Sequence, residues 1–517
     1  MPAISEKELN SDFIKDFKGD DSGDRTPRQT PGMLYAKAEP SPVKKPKLLA
    51  WSYDFAEDLD IKFPSEEDIE ILSGNRLTNS MYPYAACYAG HQFGNWAGQL
   101  GDGRAITLGE WESKKGIFEM QLKGAGPTAY SRRADGRAVL RSSVREYLMS
   151  EAMHHLGVPT TRALSLVATG DKVLRDMFYD GNPAYEPGAI VMRVSESFLR
   201  FGNFELLTAR QDTDQLEKLV HWTIDRFFPE IPQENRILEW YKIIIDRTAF
   251  LMTEWQRVGF VHGVMNTDNM SILGKTIDYG PFSFVDNYDL NFTPNTTDLP
   301  GRRYAFGNQA SVAFWNLGKL ANAISPLFED IAPLEEALNS YETTFWNYYY
   351  GMMGKKLGLD RVEKEDKSLI SEFEKVLSEI QPDMTLFYRN LAEISSEMTE
   401  EGILKQFEPV FYSELNSSEK SNFLNLIDHY LTRISKNSIS RKISVEIMNR
   451  NNPRIILRNY QLHQAIERLE QGDDSMFLKL QQAMKTPYAA KGFEELTIKR
   501  PTWAEQKAGC SMLSCSS

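Results

Sequence analysis

The segment over residues 261–280 constrains this chain more than any other, because it holds two oxygen ligands in a fixed order. It contains His262 and Asn269 and ends, after a short apolar stretch, at Asp278-Tyr279-Gly280. The Asn269 amide oxygen and the Asp278 carboxylate are hard ligands that suit Mg²⁺ and leave coordination positions for phosphate oxygens and water. An isolated Asp-Tyr-Gly is an ordinary turn, so the interpretation depends on the rest of the chain.

The same order of residues is typical of protein kinases, in which a His-Arg-Asp triplet precedes a metal-binding asparagine and Asp-Phe-Gly follows. His262 and Asn269 keep the kinase spacing, and Asp278 opens the triplet that replaces Asp-Phe-Gly. The position of the kinase catalytic aspartate is Val264, which cannot accept a proton. The sequence therefore argues against ordinary phosphoryl transfer, and Asp268 is the best substitute base.

Two upstream segments fit a phosphate site. Gly101, Gly103 and Arg104 belong to a glycine-rich turn before an apolar run, and such turns let backbone N–H groups approach phosphates. Residues 118–123 alternate apolar and polar side chains, which predicts a strand that ends at Lys123. Taken alone, the first segment is more simply a hairpin turn and Lys123 an exposed lysine.

Glu146 has two interpretations. Ser143 and Glu146 fit a capping box, which would place Glu146 in the first turn of a helix. Alternatively, Glu146 forms an ion pair with Lys123, as a helix glutamate and a strand lysine do in kinases. Further on, Arg193 and Arg200 suit bidentate phosphate binding, although ordinary surface arginines would also explain them.

The distribution of turn residues and of hydrophobic periodicity along the chain predicts an α+β protein with a protein-kinase-like, two-lobed fold. Residues 1–45 are rich in Pro, Ser, Asp and Lys and predict an extended or poorly ordered arm. Glycine turns between short apolar runs predict a β-rich N-lobe over 46–190. Helical periodicity predicts a large helical C-lobe over 191–500, followed by a tail over 501–517. Within the C-lobe, residues 215–228 and 236–258 are predicted to form long amphipathic helices, with Phe250 on the buried side of the second.

The composition excludes several classes of function. The net charge of −13 argues against general nucleic-acid binding, while a local basic pocket for one nucleotide remains compatible with it. No apolar run approaches the roughly 18 residues of a membrane span, so no membrane partner is expected. Residues 1–10 lack the apolar core of a signal peptide, and we expect a cytoplasmic location. The three cysteines give no disulfide framework.

Together these motifs resemble the selenoprotein O family of protein adenylyltransferases. The matching stretches are Gly90–Gly94, Gly98–Arg104, Gln121–Thr128, Arg133–Arg137, His262–Asn269 and Asp278–Pro281. The resemblance runs from about residue 50 to the C-terminus. It implies a kinase fold that binds ATP in a flipped orientation, so that AMP passes to Ser, Thr or Tyr hydroxyls of protein substrates.

The resemblance also implies roles for individual residues. Asn269 and Asp278 would bind Mg²⁺ or Mn²⁺, Asp268 would be the base, and Lys123 would pair with Glu146. With the nucleotide reversed, the acceptor is no longer activated at the position of Val264. The implied nucleotide-binding residues are Gly101, Gly103, Arg104, Lys123, Asp135, Gly136, Arg193, Arg200 and Asp278, with Asp135 and Gly136 on the adenosine.

Cys515, third from the end, occupies the position at which eukaryotic members of the family, which are mitochondrial, carry selenocysteine. Some bacterial members pair this cysteine with one in the activation segment, but the matching position here is Pro294. That disulfide cannot form in this chain. Cys515 could instead pair with Cys510, with Cys87, with another protein or with nothing, and it is a possible redox position.

Three other functions compete with AMP transfer from ATP. One is transfer of another nucleotide, such as UMP from UTP with Mn²⁺. Another is a true kinase that uses the γ-phosphate. The last is a non-catalytic, redox-sensing pseudokinase, against which the presence of Lys123, Glu146, Asn269 and Asp278 argues.

Overall fold

The computed structural model describes residues 1–177, 181–505, 507, 509–510 and 512–514. Within them the strands are β1 (Gly19–Asp20), β2 (Tyr35–Lys37), β3 (Lys47–Trp51), β4 (Tyr84–Ala86), β5 (Ala89–Gln92), β6 (Asn95–Gln99), β7 (Ala105–Ser113), β8 (Gly116–Lys123), β9 (Arg162–Arg175), β10 (Ala184–Ser195), β11 (Phe260–Val261) and β12 (Ser283–Phe284). The α-helices are α1 (Asp12–Asp16), α2 (Tyr53–Asp58), α3 (Glu66–Leu72), α4 (Leu140–His155), α5 (Phe201–Ala209), α6 (Thr213–Phe227), α7 (Arg236–Val258), α8 (Gln309–Ile324), α9 (Ala332–Leu357), α10 (Asp366–Ile380), α11 (Met384–Leu391), α12 (Glu400–Phe407), α13 (Ser417–Ile434), α14 (Arg441–Asn451), α15 (Asn459–Glu470) and α16 (Ser475–Met484). A sheet-rich N-terminal part thus precedes a large helical part, which confirms the α+β class; the domain boundaries stay predictions.

One eight-stranded sheet organises the N-terminal part, in the order β1-β2-β4-β7-β8-β10-β9-β3. β1 and β2 are parallel, and the other neighbouring strands are antiparallel. Lys123 ends β8, where it lies opposite Ala105 of β7 and Val191 of β10. Gln121 lies opposite Arg193 in the same ladder. The pairing therefore brings Lys123 and Arg193 to the same end of the sheet.

Strand β8 alternates as predicted, but both of its faces are buried. Met120 and Leu122 lie in the hydrophobic core. Glu119, Gln121 and Lys123 project from the opposite face, because successive side chains of a strand alternate, and they too are buried. Lys123 is thus not the exposed lysine of the simpler interpretation.

Residues 1–45 form part of the packed fold, and the prediction of a poorly ordered arm is wrong in that respect. The rings of Phe13 and Phe17 pack edge-on against Trp222 of α6, with centroids 5.7 and 5.6 Å away. The backbone of Asn10 donates to the Glu110 carbonyl of β7 at 3.1 Å and accepts from the Glu110 N–H at 2.6 Å. A few aromatic anchors and this strand contact order a segment whose average composition is polar.

Helix α4 begins earlier than the sequence suggests, and the capping-box interpretation of Glu146 is wrong. The residue before the helix is Val139, which makes no side-chain capping bond. Ser143 and Glu146 therefore lie inside α4, where the Ser143 hydroxyl donates to the Ala189 carbonyl at 3.4 Å. Glu146 is therefore not a capping residue, and its carboxylate can contact side chains of the sheet.

The predicted helices over 215–228 and 236–258 are confirmed as α6 and α7. One detail of α7 differs, because Phe250, expected on the buried side, is 37% exposed and packs edge-on against Tyr348. At the other end of the chain, α16 returns to α4, where Gln481 donates to the Tyr147 hydroxyl at 2.8 Å. Across the described residues, no helix is both long and apolar enough to cross a membrane.

Candidate active site

Asp278 lies at the centre of three cationic side chains. Its Oδ1 is 3.3 Å from Lys123 Nζ and 2.5 Å from Arg193 Nη1, and its Oδ2 accepts from Arg200 Nη1. These cations come from three elements: the end of β8, the end of β10 and the residue that precedes α5. We refer to Asp278, Lys123, Arg193, Arg200 and Glu146 as the charged cluster.

The surroundings of Asp278 keep it ionised. Burial alone would raise the pKa of its carboxyl group, but Arg200, Arg193 and Lys123 together hold that pKa well below its usual value. Its backbone has a φ of +54°, in the left-handed region that non-glycine residues rarely adopt. Local strain at a buried, charged residue is characteristic of functional sites.

Glu146 forms the ion pair that the kinase comparison suggests. Its Oε2 is 2.6 Å from Lys123 Nζ, and its Oε1 accepts from Arg193 Nη1 at 3.0 Å. The side chains of Lys123 and Glu146 are 10% and 5% exposed. One carboxylate thus fixes two cations in a nearly dry environment, where such interactions are stronger than in water.

The glycine-rich turn has no room for side chains at two positions. A Cβ at Gly101 would lie 2.7 Å from the Ala86 carbonyl oxygen, and the φ of Gly101 is +149°. A Cβ at Gly103 would lie 2.8 Å from the Tyr130 carbonyl oxygen. The tight approach of these backbones explains both glycines, and Arg104 follows them directly, immediately before β7.

Asp102, between these glycines, is a buried residue that the sequence analysis did not single out. Its Oδ1 accepts from Tyr88 Oη at 3.3 Å and lies 3.5 Å from Arg200 Nη2. Its Oδ2 accepts from Gln121 Nε2 at 3.3 Å. Asp102 therefore connects the glycine-rich turn to the charged cluster through Arg200.

Asp268 lies in the loop beside this cluster, where the Arg200 guanidinium donates to its backbone carbonyl at 2.8 Å. Asp268 is 8% exposed, and burial raises the pKa of its carboxyl group to about 6. Gln92 Nε2 donates to its Oδ2 at 3.2 Å, while its Oδ1 has no hydrogen-bond partner among the described residues. One carboxylate oxygen is thus held by Gln92, and the other is buried without a hydrogen-bond partner in the described part of the chain.

The hairpin of β5 and β6 covers this loop and supplies a contact that the sequence did not reveal. The His91 N–H donates to Thr267 Oγ1 at 2.7 Å, and the Phe93 N–H donates to Asn266 Oδ1 at 3.1 Å. The hydrogen bond from Gln92 to Asp268 lies between these two backbone contacts. The hairpin therefore orients the loop that carries the candidate base.

Asn269 and Asp278 fit the role of metal ligands in their chemistry. Asn269 Nδ2 donates to the Val264 carbonyl at 2.9 Å, which leaves the amide oxygen as the group available to a cation. His262 joins the two segments, since its Nε2 donates to the Ile277 carbonyl at 2.8 Å. Within the described part of the chain, no group of three or more His, Cys, Asp or Glu side chains could hold a metal ion. A cation bound here would therefore need further oxygen ligands from a phosphate group or water.

Asp135 and Gly136 lie on a separate loop. The Asp135 carboxylate pairs with Arg175, at 2.6 Å from Nη2 and 2.9 Å from Nη1. Gly136 has a φ of +69°, and a Cβ there would lie 2.1 Å from the Gly126 carbonyl oxygen. The interactions described for these two residues do not reach the charged cluster, so their predicted contact with adenosine stays a prediction.

The cysteines give no support to a disulfide within the described residues. Cys87 and Cys510 are buried free thiols there. Cys515 lies outside the described residues, and its redox role stays a prediction. The last part of the tail that is described runs beside Pro294, whose carbonyl accepts from the Leu513 N–H at 3.0 Å.

Comparison with known proteins identifies relatives along the whole chain. A family profile described as "Protein adenylyltransferase SelO" matches residues 28–485. Three curated relatives are each named "Protein nucleotidyltransferase YdiU". The relative from Cytophaga hutchinsonii is 56% identical, and the alignment covers 100% of both chains. The relative from Methylobacillus flagellatus is 50% identical over 98% of this chain and 99% of its own. The relative from Nitrosospira multiformis is 48% identical over 100% of this chain and 98% of its own.

Proposed function

The chain belongs to the SelO family, and from that membership we propose that it is a protein nucleotidyltransferase that transfers AMP from ATP to Ser, Thr or Tyr hydroxyls of other proteins. Pyrophosphate leaves in this reaction. The name of the matching family specifies adenylyl transfer, whereas the names of the curated relatives specify only nucleotidyl transfer.

The observation that carries the proposal is the convergence of Lys123, Arg193 and Arg200 on one carboxylate, with Glu146 behind two of them. Preorganised cations in a water-poor site stabilise the charge that develops on a reacting phosphate. The strand lysine, the helix glutamate and the ordered Asn269 and Asp278 also match the parts that protein kinases use. We therefore propose a kinase-like cleft between the sheet and the helical part.

In the proposed reaction, the hydroxyl oxygen attacks the α-phosphorus of ATP while the bond to the pyrophosphate oxygen breaks. Asp268 accepts the hydroxyl proton, and Gln92 holds its Oδ2. Lys123, Arg193 and Arg200 neutralise the charge on the phosphates. Gly101, Gly103 and Arg104 cover the phosphates, and Asp135 and Gly136 contact the adenosine.

The residues that would hold Mg²⁺ or Mn²⁺ are Asn269 and Asp278. A divalent ion bound there would neutralise phosphate charge and orient the triphosphate. The Asp278 carboxylate now accepts from three cationic side chains. Binding of a triphosphate would give those cations a new partner and leave the carboxylate to the metal ion.

Two other functions remain as alternatives to AMP transfer. UMP transfer from UTP with Mn²⁺ would use the same charged cluster, since only the base of the nucleotide differs. A non-catalytic, redox-sensing protein would have no need for the ordered set of Lys123, Glu146, Asn269 and Asp278.

The test is intact-mass analysis of candidate acceptor proteins after incubation with the enzyme and ATP or UTP, each with Mg²⁺ and with Mn²⁺. We expect AMP to be added from ATP by the wild type and by Asp289→Ala, a control in the segment that follows Asp278. Asp278→Ala should add none. Addition of UMP only would replace the AMP proposal, and equal addition by Asp278→Ala would contradict the assigned site.

A further inference from the structure

A cavity of about 460 Å³ lies in the helical part, and none of the residues that line it belongs to the charged cluster. We refer to it as the aromatic pocket, because six of its lining residues are Tyr288, Phe314, Tyr341, Phe345, Trp346 and Tyr349. Its volume falls within the range of about 300–1,000 Å³ that is typical of ligand sites. Nothing in the proposed reaction uses it.

The aromatic wall is a row of side chains along one face of α9. Tyr341, Phe345 and Tyr349 are spaced four residues apart, and their neighbouring ring centroids are 6.2 and 5.8 Å from each other. The Tyr341 hydroxyl donates to the Ala310 carbonyl at 2.9 Å, and the Tyr349 hydroxyl donates to Glu374. These bonds hold the rings in place, so the pocket is preorganised and its aromatic wall is firm.

The charged side chains that line the pocket are all negative. Its charged lining residues are Glu342 and Glu374, and no Lys, Arg or His is among the residues that line it. Glu374 accepts a hydrogen bond from the Tyr349 hydroxyl, and among the described residues no cationic side chain lines the pocket to neutralise either carboxylate. Aromatic faces attract organic cations, and carboxylates beside them add to that attraction.

Part of the pocket wall belongs to a chain segment that also contacts the loop of Asp268. Leu290 and Gly307 in its wall belong to the segment that follows Asp278, and they are joined by a 2.8 Å backbone hydrogen bond. In the same segment, the Tyr304 hydroxyl donates to Asn266 in the loop of Asp268, at 2.6 Å. Phe314 and Trp346 are 38% and 40% exposed. Accessible aromatic residues of this kind are enriched at the centres of protein interfaces.

We propose that the aromatic pocket binds an arginine side chain of the acceptor protein, and so selects acceptors with a basic residue at a fixed distance from the modified hydroxyl. The guanidinium plane would stack on the rings and pair with Glu342 and Glu374. The pocket itself stands on its own geometry, while its link to acceptor choice rests on the proposed function.

The direct test is titration of the full-length protein with a blocked Gly-Arg-Gly peptide and with its citrulline counterpart, which has the same shape but no charge. We expect the arginine peptide to bind at least about tenfold more tightly. Glu342→Gln should weaken its binding about tenfold, whereas Glu336→Gln, an exposed control on the same helix, should leave it unchanged. Equal affinity for both peptides, or equal effects of both substitutions, would overturn the proposal.

A second measurement separates this inference from the proposed function. If both hold, Glu342→Gln raises the KM for the acceptor protein about tenfold and leaves kcat and the KM for ATP unchanged. If the protein transfers no nucleotide at all, the proposed function fails, while the peptide titration still decides what the pocket binds. Binding of free agmatine without binding of the arginine peptide would identify a small-molecule site and refute the commitment to a protein side chain.

Discussion

Replacing Glu146 by glutamine removes the carboxylate charge that faces Lys123 and Arg193. Loss of one partner from a buried ion pair costs about 3–5 kcal/mol of stability. Asp278 remains 3.3 Å from Lys123 Nζ and 2.5 Å from Arg193 Nη1, so part of the charge is still balanced. We therefore expect the free energy of unfolding to fall by about 3 kcal/mol, at the lower end of that range.

The same substitution should also slow the reaction, because Lys123 loses the group that fixes its ammonium against phosphate. We expect kcat for nucleotide transfer to fall by about 10²–10³-fold at saturating ATP, as for the loss of other charge-stabilising groups. Urea unfolding gives the stability, and mass-spectrometric transfer assays at a temperature at which the proteins are folded give the rate.

Glu151→Gln is the matched control. Glu151 lies on the same helix, is buried, and pairs with Arg162 through two contacts of 2.6 Å at a distance from the cleft residues. The Glu151→Gln protein should lose a similar free energy of unfolding and keep the wild-type kcat. If both variants lose transfer equally, the ion pair of Lys123 and Glu146 has only a structural role, and its proposed part in the reaction is excluded.

Three further predictions concern single positions. Burial raises the pKa of Glu119 to about 8 in the folded protein. Between about pH 5 and 8, Glu119 therefore keeps its proton in the folded protein and loses it in the unfolded chain, so the free energy of unfolding should fall as the pH rises through that range. Glu119→Gln should remove up to about 3 kcal/mol of that loss, measured as urea unfolding at both pH values, and an unchanged pH dependence would contradict it. Gly136→Ala should displace the loop, because its Cβ would meet the Gly126 carbonyl at 2.1 Å, and should raise the KM for ATP with little change in the KM for the acceptor. Gln92→Leu should lower kcat about tenfold through Asp268 without changing ATP affinity, and a full-rate Gln92→Leu protein would refute the positioning role.

The sequence predicted those features that depend on short local motifs and on periodicity. The strand that ends at Lys123, the helices α6 and α7, and the contact between Lys123 and Glu146 are all present in the structure. Each of these follows from local periodicity or from a spacing that kinases share. The capping box failed because Ser143 and Glu146 satisfy its pattern equally well inside a helix that begins at Leu140.

The contacts that could not be predicted join residues far apart in the chain. Gln92 and Asp268 are 176 positions apart, and Asp102 and Arg200 are 98 apart. No periodicity or spacing rule reaches over such distances, since the pairing is set by how the sheet packs against the helical part. The polar composition of residues 1–45 likewise predicted a poorly ordered arm, because a composition does not show that Phe13 and Phe17 pack against Trp222 and order the segment.

AMP transfer requires that the α-phosphate of ATP, and not the γ-phosphate, passes to the acceptor protein. The most direct measurement incubates the enzyme and an acceptor protein with ATP labelled at the α- or the γ-phosphate, and follows the label on the acceptor. We expect label from α-labelled ATP only, and none with the Asp278→Ala enzyme. Label on the acceptor from γ-labelled ATP alone would show a kinase and rule out AMP transfer.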